Sequence, residues 1–186
     1  MNSSTDLQST RPAILIVAYG NLSRRDDGVA FHVVRRLRER LGLPALAEGE
    51  PGEAVDDDYA RWSNRLAVAC MHQLAPETAE LLAQHEIVVF VDAHVPGTDR
   101  EPVEWQTVTP AYHSGMVSHH LKPDSVLALC HSLYGHCPQG YVLSIVGTDF
   151  DFGETLSPST AALLDQAVAC LLELLNAQQG GGKSGN

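Results

Sequence analysis

Short unbroken runs of apolar residues alternate along the chain with segments in which apolar residues recur at helical spacing. Residues 13–18 read AILIVA, and residues 66–70 and 87–91 are runs of the same kind. Such runs are typical of strands buried on both faces of a sheet. Residues 103–109 and 141–146 also favour strands, so the pattern predicts five strands.

Helical spacing fills the intervals between these strands. In residues 28–41 apolar side chains recur every three or four positions, which predicts an amphipathic helix. Asp26 or Asp27 is placed to cap its start, and Gly42 is placed to end it. The other predicted helices cover residues 76–84, residues 123–133, and a last segment from Ser157-Pro158 to about residue 176.

The order of these elements is β-α-β-α-β-β-α-β-α, which predicts an α/β fold of three layers, α/β/α, around a five-stranded, mostly parallel, twisted sheet. The connection between the third and fourth strands is too short for a helical crossover, so residues 103–109 are predicted to run antiparallel. Residues 12–176 are predicted to form a single domain, and residues 1–11 and 177–186 flexible tails.

Composition narrows the function classes. The chain has 186 residues, of which 44% are apolar and 19% charged, with a net charge of −11. A chain with this net negative charge is a poor partner for nucleic acid or for an anionic membrane surface. The acid-rich residues 48–58 are predicted to form a solvated loop.

Localisation follows from what the sequence lacks. No unbroken apolar run reaches eighteen residues, so no membrane-spanning helix is expected, and the polar N-terminus predicts no secretory signal. The 4 cysteines form no CxxC motif and are predicted to be reduced thiols. These features predict a cytoplasmic protein.

Polar residues cluster where the predicted strands end. The segment GNLSRRDDG follows the first strand, Asp92-Ala93-His94 follows the third, and Ser118-His119-His120 precedes a helix. Sites in open α/β sheets form at the carboxyl ends of strands. A carboxylate ending an apolar strand, as Asp92 does, is seldom kept for packing, because burying it without a partner is costly.

Two carboxylates and one imidazole from these three loops form a mixed oxygen and nitrogen ligand set. Such a set suits a divalent cation such as Zn, Ni or Mn and leaves coordination positions open. Other chemistries fit less well, because the chain has no GxSxG elbow, no HExxH motif and no complete dinucleotide-binding glycine loop. The cysteines and histidines of CHSLYGHC match no standard zinc spacing.

Five motifs, in order along the chain, resemble those of one family. They are GNLSRRDDG, HQLAPETAELL, VFVDA, SHHLKPDSVLALCHSLYG and GETLSPST. Together they are similar to the nickel-iron hydrogenase maturation proteases, endopeptidases that trim the C-terminus of the hydrogenase large subunit. The similarity extends over most of the chain.

The resemblance implies a set of functional residues. Asp27 and Asp92 are expected to be catalytic and to bind metal together with His119, or with His120 as the alternative. Asn21 and His94, which flank the two acids, are expected to contact the substrate.

The resemblance also implies the metal and the partner. The metal is expected to be nickel, supplied by the large-subunit precursor, with zinc or cadmium able to substitute. The chain is expected to act as a monomer on that precursor. A non-proteolytic metal- or precursor-binding assembly factor on the same fold is the alternative, and a small-molecule hydrolase or phosphorylase is a third interpretation.

Overall fold

A computed structural model describes residues 13–44, 58–97, 99–112 and 121–180. The predicted metal ligands His119 and His120 lie outside these ranges. The predicted tails also lie outside them, except for residues 177–180. The described chain forms one mixed sheet of six strands in the order β2-β3-β1-β4-β6-β5. The strands are β1 (Ile14–Tyr19), β2 (Asp58–Arg61), β3 (Leu66–Met71), β4 (Ile87–His94), β5 (Val103–Val108) and β6 (Gln139–Val146).

Four central strands, β3, β1, β4 and β6, run parallel, as predicted. The edge strand β5 pairs antiparallel with β6, which confirms the direction expected from the short connection before it. The prediction of five strands was wrong, because β2 forms a second antiparallel edge beside β3. Its sequence, DYAR, contains no apolar run, since an edge strand needs no continuous buried face.

Helices cover both faces of the sheet, which confirms the three-layer architecture. On one face, α1 (Val29–Arg40) and α5 (Leu164–Gly180) pack against each other over a core that includes Ile16, Val89 and Ile145. On the other face, α2 (Thr78–Leu82) and α3 (Pro123–Tyr134) cover a core that includes Val17 and Phe90. A short helix, α4 (Pro158–Ala161), precedes α5.

Two helix ends differ from the sequence-based expectation. A 3-10 helix over Arg25–Gly28 precedes α1, and Gly28 occupies the N-cap without a side-chain cap, so neither Asp26 nor Asp27 caps α1. At the other end of the chain α5 continues to Gly180, so the predicted tail began too early. The predicted cap at Ser157 is confirmed, because its hydroxyl accepts a hydrogen bond from the Thr160 amide.

One helical stretch, Pro158–Gln178, is long and apolar enough to cross a membrane by length and composition alone. This stretch is not an unbroken apolar run, because polar residues such as Asp165, Gln166 and Glu173 interrupt it. Part of its apolar surface, including Val168 and Leu171, is buried in the core. The absence of a membrane-spanning segment therefore stays a prediction.

The crevice between β1 and β4 is the topological switch point of the sheet. From β1 the chain passes through α1 to β3 on one side, whereas from β4 it passes to β5 and β6 on the other. The loops that follow β1 and β4 therefore separate and leave a gap at the carboxyl edge. Ligands of open α/β sheets bind at such a gap.

Candidate active site

Gly20 brings the loop after β1 into close contact with the 3-10 helix that carries Asp27. Its φ is +141°, and a Cβ atom there would lie 2.0 Å from the backbone oxygen of Asp27. Only glycine permits both this backbone conformation and this approach. The Asn21 amide then donates to Asp27 Oδ2 at 3.0 Å, which orients the carboxylate.

The two acids expected from the sequence, Asp27 and Asp92, line one cavity of about 300 Å³ at the switch point. Asp27 comes from the loop after β1, and Asp92 from the carboxyl end of β4. Tyr19 and Asn21 also line the cavity, so of the two predicted substrate contacts Asn21 is placed beside both acids.

The carboxyl of Asp92 is strongly perturbed by its surroundings. Burial raises its pKa to about 6, opposed by a hydrogen bond from Tyr19 and by the Ala93 amide, which donates at 2.8 Å. The negative charge of Asp27, which lines the same cavity, raises the pKa of Asp92 further. Burial also raises the pKa of the Tyr19 hydroxyl, so this group remains a proton donor at neutral pH.

Asp92 belongs to a row of three polar residues that lie in register on neighbouring strands. Asp92 on β4 pairs in register with Ser144 on β6, which pairs with Glu104 on β5. Arg100 bridges this row, with Nη2 at 2.6 Å from Glu104 Oε2 and at 3.3 Å from Ser144 Oγ. The Arg100 charge lowers the pKa of Asp92, but too weakly to offset burial.

Asp26 does not face the cavity. Its side chain is fully buried, and its carboxylate accepts hydrogen bonds from the amides of Thr148, Asp149 and Ser157 at 2.7–2.9 Å. Burial alone would raise its pKa, but these bonds and one from the Ser157 hydroxyl outweigh burial and lower the pKa to about 2. The two adjacent acids thus have separate roles, because Asp26 anchors the loop on which Asp27 is presented.

His94 is placed differently from the other predicted substrate contact. It is the last residue of β4, is 7% exposed, and does not line the cavity that contains Asp27 and Asp92. Burial lowers its pKa, and the nearby Arg100 lowers it further. Its contact with substrate stays a prediction.

His72 lines the cavity, although it was not among the predicted site residues. It is the first residue of the motif HQLAPETAELL. It follows β3 directly, at the same edge of the sheet as the ends of β1 and β4. Leu121, the neighbour of His120 in sequence, lines the cavity as well. The position of His72 after a buried strand was the sequence signal that could have identified it.

The donor chemistry of the cavity fits a divalent cation, but the described residues do not complete a site. Within residues 13–44, 58–97, 99–112 and 121–180, no three His, Cys, Asp or Glu side chains are grouped closely enough to hold a metal ion. Two carboxylates with room for further ligands suit borderline divalent metals. The expected third ligand, His119 or His120, lies outside the described ranges.

A larger cavity, of about 570 Å³, opens at the opposite edge of the sheet, where β1 and β3 begin. Its lining is mainly apolar and includes Leu41, Trp62 and Leu175. None of the described residues that line it is an acid, a histidine or a cysteine, so the cavity that contains Asp27 and Asp92 is the candidate active site.

The fold is shared with solved hydrogenase maturation proteases. An endopeptidase from Escherichia coli, solved in solution, superposes with a TM-score of 0.64 at 16% identity, over 89% of this chain and 93% of that chain. The hydrogenase maturation protease HycI from Thermococcus kodakarensis has a TM-score of 0.59 at 20% identity, over 90% and 95%. The hydrogenase maturating endopeptidase HybD from Escherichia coli has a TM-score of 0.59 at 14% identity, over 89% and 93%.

Sequence comparison adds no relative to these structures. No protein-family model matches the chain, and comparison with curated proteins finds no significant match. The structural likeness establishes the fold, and it confirms the α/β class that the order of the elements predicts. Activity has to be inferred from the site.

Proposed function

We propose that the chain is an endopeptidase that removes a C-terminal peptide from the nickel-loaded precursor of a nickel-iron hydrogenase large subunit. The observation that carries this proposal is the pair Asp27 and Asp92 in one open cavity at the switch point of the sheet. The fold is shared with solved maturation proteases, which supports the reaction class.

In this proposal the nickel belongs to the substrate. Asp27, Asp92 and His119 or His120 would complete the coordination of a metal that the precursor already holds. Oxygen and imidazole donors suit this task, because thiolates on the protease would compete with the precursor for the ion. Recognition through the metal would restrict cleavage to precursors that have received it.

Asp92 is also suited to proton transfer. Before the nickel-loaded precursor binds, the pKa of Asp92 is raised to about 6, so the group is mainly a carboxylate at pH 7 and accepts a proton more readily than an ordinary aspartate. In the hydrolysis we propose, Asp92 takes a proton from the attacking water as the new C–O bond forms. The proton then passes to the leaving amine as the C–N bond breaks, so the carboxylate is regenerated.

The experiment that tests this proposal is incubation of the purified protein with a purified large-subunit precursor, with and without nickel. The expected result is loss of a C-terminal peptide from the nickel-loaded precursor only, measured by intact mass. Binding of the loaded precursor without cleavage would favour the assembly factor instead. Trimming that is equal with and without nickel would contradict metal-dependent recognition.

The cysteines are expected to be dispensable for cleavage. Cys70 and Cys130 are buried, and burial, with the charge of Cys137 adding to it, raises the pKa of the Cys130 thiol to about 11. A protonated thiol is a poor nucleophile, and no cysteine lines the cavity that contains Asp27 and Asp92. Cys70→Ser, Cys130→Ser and Cys137→Ser variants should each trim the precursor within about twofold of the wild-type rate.

A gel-shift assay of precursor trimming measures these rates. Circular dichroism shows whether each variant is folded. A folded Cys→Ser variant that trims no precursor would show that a thiol takes part in the reaction.

A further inference from the structure

Phe152 is the most exposed large hydrophobic side chain among the residues that the structure describes. It is 85% exposed, on the loop between β6 and α4. The Arg24 guanidinium lies over its ring, 5.8 Å from the ring centroid, and Arg24 also lines the candidate active-site cavity. We call these two side chains the Arg24–Phe152 ridge.

The backbone beneath the ridge is firmly held. Nε and Nη2 of Arg24 both donate to the Phe150 carbonyl, at 3.0 and 2.9 Å. The Gly153 amide donates to the Ser23 carbonyl at 2.9 Å, and the Arg25 amide donates to the Gly153 carbonyl at 2.7 Å. The exposed ring is therefore presented by an ordered loop, which lowers the entropy lost when a partner binds.

The Arg24 guanidinium has no carboxylate partner within the described ranges of the chain. Arg25 pairs with Asp149 at 2.6 Å, but Arg24 forms no ion pair with any residue in the described part of the chain. Arg24 is also exposed, on a chain whose net charge is −11. An unpaired arginine beside an exposed aromatic ring matches the side chains that dominate protein–protein binding energy.

We propose that the Arg24–Phe152 ridge is a docking surface for the folded body of the precursor, an inference that rests on the proposed function. The ring would pack against an apolar side chain of the precursor, and Arg24 would pair with an acidic group next to it. Small-molecule sites are concave, whereas Phe152 projects from the surface, so the shape favours a protein partner. Because Arg24 belongs to both ridge and cavity, a precursor seated on the ridge would lie beside Asp27 and Asp92.

The test compares the affinity of nickel-loaded precursor for the wild type and for Phe152→Ala. We expect Phe152→Ala to raise Kd by about tenfold, because truncating an interface aromatic removes a large share of the binding energy. The rate at saturating precursor should stay within about twofold of wild type. Leu133→Ala is the matched control, because Leu133 is 62% exposed on α3 and lies outside the cavity; its Kd should not change.

Two further variants test the charge of the partner. Phe152→Lys should bind the precursor more tightly than Phe152→Glu, since a glutamate would neutralise Arg24 and repel an acidic surface. The reverse order would overturn the acidic partner. Thermal unfolding should be unchanged in all ridge variants, because the ring is exposed.

A Phe152→Ala protein that binds the precursor with wild-type Kd would overturn the ridge as a docking surface. A wild-type protein that binds the precursor but does not cleave it would refute the proposed protease activity. In that case the Kd values of wild type and Phe152→Ala would still show whether the Arg24–Phe152 ridge is a docking surface. A wild-type protein that neither binds nor cleaves would overturn both.

Discussion

Replacement of Asp92 by asparagine is expected to abolish processing of the nickel-loaded precursor and to leave the folded protein at least as stable as the wild type. The amide is a weak metal ligand and cannot act as a base, so the rate should fall by at least about a hundredfold. Stability should not fall, because burial raises the pKa of this carboxyl to about 6, which means that the fold disfavours its charge at pH 7. A buried carboxylate that costs stability is consistent with the catalytic role that we propose for Asp92.

Precursor trimming and thermal unfolding of the same preparation measure the two effects. Asp27→Asn should lose processing too, since its carboxylate lines the same cavity. Glu173→Gln is the control: this acid is exposed on α5 and lies outside the cavity, so both rate and melting temperature should stay at wild-type values. Complete trimming by Asp92→Asn would show that the reaction takes place elsewhere.

Replacement of Asp26 by alanine is expected to destabilise the protein by about 4 kcal/mol, because several buried donors lose their acceptor at once. Its carboxylate bonds the Thr148 and Asp149 amides and the amide and hydroxyl of Ser157, and also the Thr160 hydroxyl at 3.0 Å. For a chain of this size the melting temperature should fall by about 10 °C. Urea unfolding at pH 7 measures the loss.

The lowered pKa of Asp26 predicts that part of the free energy of unfolding is lost at acidic pH. The pKa of Asp26 is lowered from 3.8 to about 2 in the folded protein, so the charged form stabilises the fold. This contribution is complete above the unfolded pKa of 3.8 and is lost as pH falls through 2. The wild type should therefore lose more stability than Asp26→Asn between these two pH values.

Asp165→Asn is a suitable control for the Asp26 variants at pH 7. Asp165 pairs with Arg40 at 3.0 Å, but its side chain is 58% exposed and water screens the pair, so its replacement should leave the urea midpoint close to the wild-type value. Asp26→Ala with a wild-type urea midpoint would show that the buried network does not anchor the loop.

Much of the central sheet could be predicted from local pattern. The runs at β1, β3 and β4 are apolar without interruption, and a strand with two buried faces requires such a run. The edge strand β2 was missed because pairing on one side, rather than burial, holds it in the sheet. Its sequence therefore resembles that of a loop.

Part of the candidate site could also be predicted from the sequence, because burial of a charged group is costly. Asp92 directly follows the apolar run of β4, two residues before that strand ends, and a carboxylate buried there without a partner would be costly. His72 also follows a buried strand, but histidine is often only partly buried, so its position is a weaker signal than that of a carboxylate. The position of Asn21 beside both acids depends on the close approach that Gly20 permits.

The sequence by itself determined the types of most elements, the parallel centre of the sheet, and the loop and the strand end that carry Asp27 and Asp92, because hydrophobic periodicity and the lengths of connections can be read along the chain. Tertiary structure alone decided the separate roles of the adjacent acids Asp26 and Asp27. The partners of Asp26 include Ser157, 131 residues away in sequence, and they withdraw one carboxylate into the core while the other faces the cavity. The local sequence does not show which of the two acids is buried. That is decided when distant loops meet at the carboxyl edge of the sheet, because their buried polar groups must find hydrogen-bond partners.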